Sequence, residues 1–510
     1  MGKNVVKAAG WLLIINACVK LAGFVREMVI ANGFGASAFT DAYQAAYTLP
    51  YFLQSVLGFA MVSAVLPTLS RYWRQDGDNR EGCRIASTLI NIVAAGMLLI
   101  SVLGIVFAPQ LVWLTAPELP AETATLAAQL ARIMFPSVLF MSVGMVMAGV
   151  LNHCYRFTAA AVAPGVCSLV IMVATAFFAH GRIEVVAWGT LLGFVAFLLV
   201  TAVDLPHTGL RYCFAWDLRH PAIRRVLIDL LPILLGLAVN QIYTIINRIF
   251  ASGLAIGSIS ALNYANKLIN LPQGVFVAAI STAIFPALAE QAQQKDPTEF
   301  HATIRRGLTM VLLVALPATC GLLLLNTPIV SLLFESGEFD AAATGITAYA
   351  LLTMCPGLVF LSLNMLLVRV FYAVGDVWTP LITGGLSIGV NVLVSVLFVP
   401  ALDHGALGLA NSAAAAVNAL LRWLILARRL HCFRNSRLCR EVLLICAAAA
   451  AMCVPVWACA RLVPPGAGKM TLALWVVISV VVGIAVYLLV LKLCRSASLQ
   501  DLKANWRRSS

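Results

Sequence analysis

Three basic side chains stand where basic side chains are expensive. Lys20 and Arg26 interrupt the first long apolar run of the chain, and Lys267 interrupts a later one. A cation at the centre of a spanning helix costs about 2.5–3.5 kcal/mol on insertion scales, so such residues usually face a polar cavity. Six residues of helix turn through about 600°, which leaves Lys20 and Arg26 about 120° apart. They share a surface if the cavity is wide or the helix bends, and Gly23 between them permits a bend. Glu27 follows Arg26, and Asp41 opens the next apolar run. Asn263, Asn266, Lys267 and Asn270 are spaced i, i+3, i+4 and i+7, which is one face of a helix. That face is too polar for lipid and must line something. Together the three cations predict a cationic chamber whose ligand is an anion such as a phosphate or diphosphate. The competing reading is structural ion pairing, for instance of Arg26 with Glu27 or Asp41.

Other charges read differently. Arg132 and Arg422 lie near the ends of apolar runs, where a long side chain is expected to snorkel to the interface. Arg248 fits either reading. No Walker motif, H-E-x-x-H or G-x-S-x-G is present, so no catalytic residues are expected. A membrane-embedded transferase would need paired acids or a catalytic histidine. The acidic pair Asp76/Asp78 reads as a solvated turn, and the histidines are scattered. Thirteen cysteines show no C-x-x-C pair and no Cys/His metal spacing. Most of them sit in apolar segments as small hydrophobes, so neither disulfide nor metal is expected.

The elements that must hold these residues are membrane helices. The chain is 61% hydrophobic and 11% charged, with a mean hydropathy of +0.94. A soluble domain carries about 25% charged residues. Apolar blocks long enough to span the hydrocarbon core lie near 8–33, 41–68, 85–108, 124–150, 158–179, 184–203, 227–251, 257–288, 307–329, 341–370, 379–400, 405–427, 441–462 and 470–491. The fold class is therefore an all-α polytopic membrane protein of about fourteen transmembrane helices. Lys3 and Lys7 precede the first run as in a signal peptide, but Lys20 interrupts it, so it reads as an uncleaved first helix. With the N-terminus in the cytoplasm, Arg182, Arg461 and Lys469 are the only Lys or Arg residues in outer loops. That asymmetry predicts both termini in the cytoplasm and an even number of spans. It also accounts for the net charge of +13 through anionic lipid headgroups, without nucleic acid.

The chain also repeats itself. VSAVLPT at 62–68 aligns with STAIFPA at 281–287, and FAPQLV at 107–112 with LNTPIV at 325–330. FPSVLFMSVGMVMAGVL at 135–151 aligns with CPGLVFLSLNMLLVRVF at 355–371, and Leu49-Pro50 with Leu271-Pro272. Six helices per repeat is an even number, so the halves insert the same way up. Parallel repeats of this kind belong to transporters that rock one half against the other. The expected organisation is an N-terminal six-helix half at 1–222, a second at 223–430, and a terminal helix pair with its tail at 431–510.

Several stretches resemble the MurJ (MviN) family of lipid II flippases, in the multidrug/oligosaccharidyl-lipid/polysaccharide exporter superfamily. They are G-F-V-R-E at 23–27, G-F-G-A at 33–36 and T-D-A-Y at 40–43, running on to Leu49-Pro50. G-V-L-N-H-C-Y-R-F at 149–157 with Ala163-Pro164, N-Q-I-Y-T-I-I-N-R-I-F-A-S at 240–252, Y-A-N-K-L-I-N-L-P-Q-G-V at 264–275 and F-Y-A-V-G-D-V-W-T-P at 371–380 resemble later parts of it. The resemblance implies a cytoplasmic-membrane flippase that carries undecaprenyl-diphosphate-linked peptidoglycan precursor outward by alternating access. It implies lipid II, membrane lipids and cell-wall synthesis proteins as partners, and no cofactor. Lys20 and Lys267 stand where arginines are typical, while Arg26 and Asp41 match. Gln54 stands where many members have a cavity arginine, and Phe59 where many have a glutamate. The sodium-binding acids of some relatives find no match here, so sodium, protons and membrane potential all stay open as the driving force. The last two helices would form a groove for the lipid tail. The same superfamily holds drug/cation antiporters and flippases for other polyprenyl-diphosphate-linked polysaccharides. A cation antiporter should show buried carboxylates rather than cations, whereas a polysaccharide flippase shares the diphosphate chemistry. A structural scaffold without transport would leave the intramembrane cations unexplained.

Overall fold

An apolar run in a membrane has one stable form short of a closed barrel. In a helix every backbone N–H finds a carbonyl within its own segment. The computed structural model of the protein describes residues 2–73, 80–294, 296–430, 436–462, 468–494 and 496, and among them there is no strand. Some side chains within these helices, including that of Phe59, lie outside the described residues. The helices are α1 (Gly2–Phe34), α2 (Ala38–Tyr72), α3 (Arg80–Val106), α4 (Ala108–Thr115), α5 (Ala121–Met134), α6 (Ser137–His153), α7 (Phe157–Phe178), α8 (Ile183–Asp204) and α9 (Pro221–Ser252). They continue as α10 (Ser258–Pro272), α11 (Ala278–Gln291), α12 (Thr298–Leu324), α13 (Asn326–Phe334), α14 (Ala341–Ala373), α15 (Trp378–Leu402), α16 (His404–Leu430), α17 (Ser436–Arg461) and α18 (Lys469–Leu493). Among the described residues, eleven stretches are long and apolar enough to cross a membrane. Many of their large apolar side chains are exposed, such as Leu474, Val477 and Val481 of α18, as suits contact with lipid.

Two features depart from plain spans. Short helices α4 and α13 follow α3 and α12; the spans expected at 85–108 and 307–329 stop at the first residue of α4 and partway along α13. The run expected at 124–150 breaks between α5 and α6 at Phe135–Pro136, because proline has no N–H to continue the ladder. Pro272 has a related effect. Behind it the chain makes one π-helical turn, Gln273–Val277, before α11 resumes.

The chain forms two compact units. The first holds residues 1–260 with Ser336–Phe339, and the second holds 261–335 and 340–510. Within the first, α1 packs on α7, α2 on α5, α6 and α9, and α7 on α8. Gly189 and Gly193, a G-x-x-x-G pair, let α7 and α8 meet at backbone distance. A Cβ on Gly193 would lie 2.9 Å from the Cys167 carbonyl oxygen. Within the second, α14 packs on α12 and α16, α15 on α16, and α17 on α12 and α18. The terminal pair is anchored there: the Tyr487 hydroxyl donates to the Leu313 carbonyl at 3.0 Å.

The turns after α6 and α14 are built alike. In one, Tyr155 (φ 58°) donates to Asn152 and Arg156 donates to Leu151. In the other, Gly375 (φ 77°) donates to Tyr372 and Asp376 donates to Phe371. Each turn is then pinned by an ion pair of opposite sense. Arg156 pairs with Asp204 at the end of α8, and Asp376 pairs with Arg429 at the end of α16. Burial opposes the charge of Asp376. The Thr379 hydroxyl and N–H together with Arg429 outweigh it and hold the carboxyl below its usual range.

Arg132 is exposed, as snorkelling predicts. Arg422 is not: it is 6% exposed. Its Nε donates to Thr383 Oγ1, Nη1 to Asn364 Oδ1 and Nη2 to the Pro380 carbonyl, each at 3.0 Å. The expectation of a snorkelling Arg422 is therefore corrected. Nearness to a span end gave no hint that neutral acceptors from α14 and α15 converge on the guanidinium. They satisfy three of its donors and tie three helices together. Replacing it by methionine leaves Asn364 Oδ1 without this donor, at a cost of about 1–3 kcal/mol. Arg422→Met should lower the thermal midpoint of the detergent-solubilised protein. Arg422→Lys should lower it less, because lysine keeps the charge but lacks the fork. An unchanged midpoint for Arg422→Met would contradict the bracing role.

Candidate functional site

In the first unit the site is built on α1 and α2. Arg26 is on α1, and its Nη2 lies 2.6 Å from Glu27 Oε1. Glu27 is 3% exposed, while the Arg26 side chain keeps 19% of its surface. The pairing with Glu27 is thus the one present. It does not use up the guanidinium: Arg26 Nε is buried and makes no hydrogen bond. A buried donor left unmade is costly, so the site is suited to an acceptor oxygen. The phenols of Tyr43 and Tyr47 and the Cys167 thiol lie within electrostatic reach of Arg26. Lys20, on the same helix, is exposed.

Asp41, in the first turn of α2, is 4% exposed and fully engaged. Its Oδ2 accepts from the Gly257 N–H at 2.6 Å, and its Oδ1 accepts from the Ser260 N–H at 2.8 Å and hydroxyl at 2.6 Å. A carboxylate receiving backbone N–H groups at the start of a helix is the usual way to satisfy that end. Arg248 of α9 lies within electrostatic reach of Asp41. Around them the backbone closes tightly. Gly35 and Gly337 have φ of 64° and 59°, and the Glu338 N–H donates to the Asn32 carbonyl at 2.9 Å. A Cβ on Gly35 would lie 2.4 Å from the Glu338 carbonyl oxygen. Gly257, at φ 89°, meets Ala36 in the same way. Only glycine suits these three positions.

Gln54 is 1% exposed, and both ends of its amide are occupied. Its Oε1 accepts from the Tyr47 hydroxyl at 3.1 Å, and its Nε2 donates to Ser137 Oγ at 2.8 Å. It binds α2 to α6 and holds Tyr47. In the second unit, α10 carries the polar face expected of it. Asn263 and Lys267 are half-buried, while Asn266 and Asn270 are exposed and joined by a 2.9 Å hydrogen bond. Tyr264, Ala265, Leu268 and Ile269 are buried on the other face. The structure thus places Lys20, Arg26, Asp41 and Gln54 in the first unit, and Asn263, Asn266, Lys267 and Asn270 in the second.

Sequence reasoning left Arg248 undecided and did not single out Tyr43 or Tyr47. Arg248 stands in the quoted N-Q-I-Y-T-I-I-N-R run, but its acidic neighbour is two hundred residues distant. The tyrosines carry a spacing signal, since Tyr43, Tyr47 and Tyr51 recur every four residues.

The family model described as "Lipid II flippase MurJ" matches residues 30–491. The lipid II flippase MurJ of Burkholderia cenocepacia is 33% identical over 425 residues, 80% of this chain and 81% of that protein. The probable lipid II flippase MurJ of Rhizobium meliloti is 30% identical over 444 residues, 85% of this chain and 82% of that protein. A solved lipid II flippase MurJ in an inward closed conformation is similar in fold, with a TM-score of 0.80 at 24% identity over 94% of this chain and 97% of that one. An inward-facing multidrug resistance MATE transporter shares the fold more distantly, with a TM-score of 0.65 at 18% identity over 83% of this chain and 96% of that one. The chain belongs to the lipid II flippase MurJ family.

Proposed function

We propose that this protein carries lipid II, the undecaprenyl-diphosphate-linked peptidoglycan precursor, from the inner to the outer leaflet of the bacterial cytoplasmic membrane by alternating access. Within the family frame, the observation that carries this reading is Arg26: a guanidinium on the long helix α1, salt-bridged to Glu27, with a buried Nε that makes no hydrogen bond. A diphosphate supplies the acceptor oxygens such a group lacks. Lys20 adds charge in the first unit, and the second unit carries its own cation, Lys267. Asn263, Asn266 and Asn270 add neutral donors, and Gln54 fixes the wall behind Tyr47. Asp41 holds Gly257 and Ser260 in place through three hydrogen bonds within the first unit.

The proposed topology has fourteen crossings. To the eleven apolar stretches are added α1, α2 and α9, helices of 33, 35 and 32 residues. Both termini are then cytoplasmic. The halves 1–222 and 223–430 are parallel repeats, and 431–510 is an added helix pair. Equal turns at Tyr155–Arg156 and Gly375–Asp376 support the repeat, as do the short helices α4 and α13 at matching places. A negative-inside potential favours outward movement of an anion by about 2.3 kcal/mol per charge per 100 mV, so the family's diphosphate substrate needs no nucleotide site.

Expression in a bacterium depleted of its own lipid II flippase should restore growth. Failure with well-inserted protein would contradict the reading. Lys267→Ala as the sole copy should not support growth, although the protein stays in the membrane at normal level. Lys267→Arg should, because the charge is kept. Normal growth on Lys267→Ala would remove Lys267 from the site.

A further inference from the structure

α2 carries Tyr43, Tyr47 and Tyr51 four residues apart, so they lie along one face. The rings of Tyr43 and Tyr47 stack, with centroids 6.1 Å apart and planes 15° from parallel. Those of Tyr47 and Tyr51 are 5.7 Å apart and tilted by 47°. The ladder runs from buried to open: Tyr43 is 4% exposed and Tyr51 is 46% exposed. The hydroxyls of Tyr43 and Tyr47 are engaged by Thr190 and Gln54, which fixes both rings. Among the described residues the ring partner of Tyr51 is Tyr47, and almost half of its surface is open.

Its depth is informative. At 1.5 Å per residue Tyr51 lies about 20 Å along α2 from Ala38. That is well inside the helix, whereas tyrosine is at home at the membrane interface, where its hydroxyl reaches water. An open phenol at this depth suits a polar path rather than acyl chains. The ladder also begins beside a cation, since Arg26 lies within electrostatic reach of Tyr43 and Tyr47. Tyr51 is four residues beyond Tyr47, about 6 Å further along the helix.

We infer that Tyr51, backed by Tyr47, is a stacking platform for a sugar ring of the transported lipid. This rests on the flippase reading. A peptidoglycan precursor carries its glycan directly on the diphosphate, so a diphosphate at Arg26 brings the first sugar within about a helical turn of the cation. One face of a pyranose presents C–H groups, and the negative face of an aromatic ring attracts them. Tyr47, locked by Gln54, holds the platform's orientation and makes Gln54 a positioning residue.

The test compares two probes on purified protein in nanodiscs: a polyprenyl diphosphate carrying the peptidoglycan glycan, and the same lipid without sugar. Wild-type protein should bind the glycosylated lipid more tightly. Tyr51→Leu, which keeps an apolar side chain but no ring, should cut that preference about three- to tenfold. Tyr51→Trp should restore it. The sugarless lipid reports whether the diphosphate site of each variant is intact. An unchanged preference in Tyr51→Leu would overturn the platform, and so would a wild type that binds both lipids equally. A wild type that binds neither would overturn the flippase reading and the platform with it.

Discussion

Arg26→Ala should abolish transport and, as the sole copy, growth, while the protein remains in the membrane at normal level. The substitution removes the guanidinium, with its ion pair to Glu27 at 2.6 Å and its unbonded Nε. Hydrogen bonds to charged groups are worth about 1.5–3 kcal/mol each, so losing two to the substrate costs roughly 100-fold or more. The fold should survive, because α1 packs on α7 and Ile30 and Phe34 share a buried apolar cluster with Ala163, Cys167 and Ile171. Arg26→Lys should fall between, since lysine keeps the charge without the bidentate geometry. Immunoblotting of the membrane fraction beside a growth assay decides it. Normal growth on Arg26→Ala would remove the centre of the site.

Asp41→Ala has the second largest effect, for a different reason. It takes away the shared acceptor of the Gly257 N–H, the Ser260 N–H and the Ser260 hydroxyl. Each backbone donor left unmade costs about 1–3 kcal/mol. The nearby Arg248 loses its counter-charge at the same time. The thermal midpoint of the detergent-solubilised protein should fall clearly, and transport with it. Asp41→Asn keeps one carbonyl oxygen but turns an amide N–H₂ toward donors, so it should retain part of the activity. Equal activity of Asp41→Ala and wild type would show that the hydrogen bonds to Gly257 and Ser260 carry no functional load.

Much of the scaffold was legible because lipid leaves a chain few options. The apolar run at 158–179 became α7, and the one at 470–491 became α18, within a few residues. The polar face of α10 was legible for the same reason, since helical spacing fixes which residues share a side. What sequence could not show is what one helix offers another. Arg422 sits near a span end, yet Asn364, Thr383 and the Pro380 carbonyl surround it. The family resemblance implies a cavity arginine at the place of Gln54, whereas the Gln54 amide is spent on Tyr47 and Ser137. Asp41 is conspicuous in the sequence at the start of an apolar run, but its partners Gly257 and Ser260 are two hundred residues downstream. Such pairings arise from packing, and no local pattern encodes them. Breaks at Phe135–Pro136 and behind Pro272 carried a signal in the prolines themselves.

The most direct measurement is exposure of the precursor on the outer leaflet. Cells depleted of their own lipid II flippase and expressing this protein should regain outer-leaflet lipid II to about the level of undepleted cells, and cells expressing Arg26→Ala should not. Lipid II that stays on the inner leaflet, with the protein correctly inserted, would contradict the proposed function.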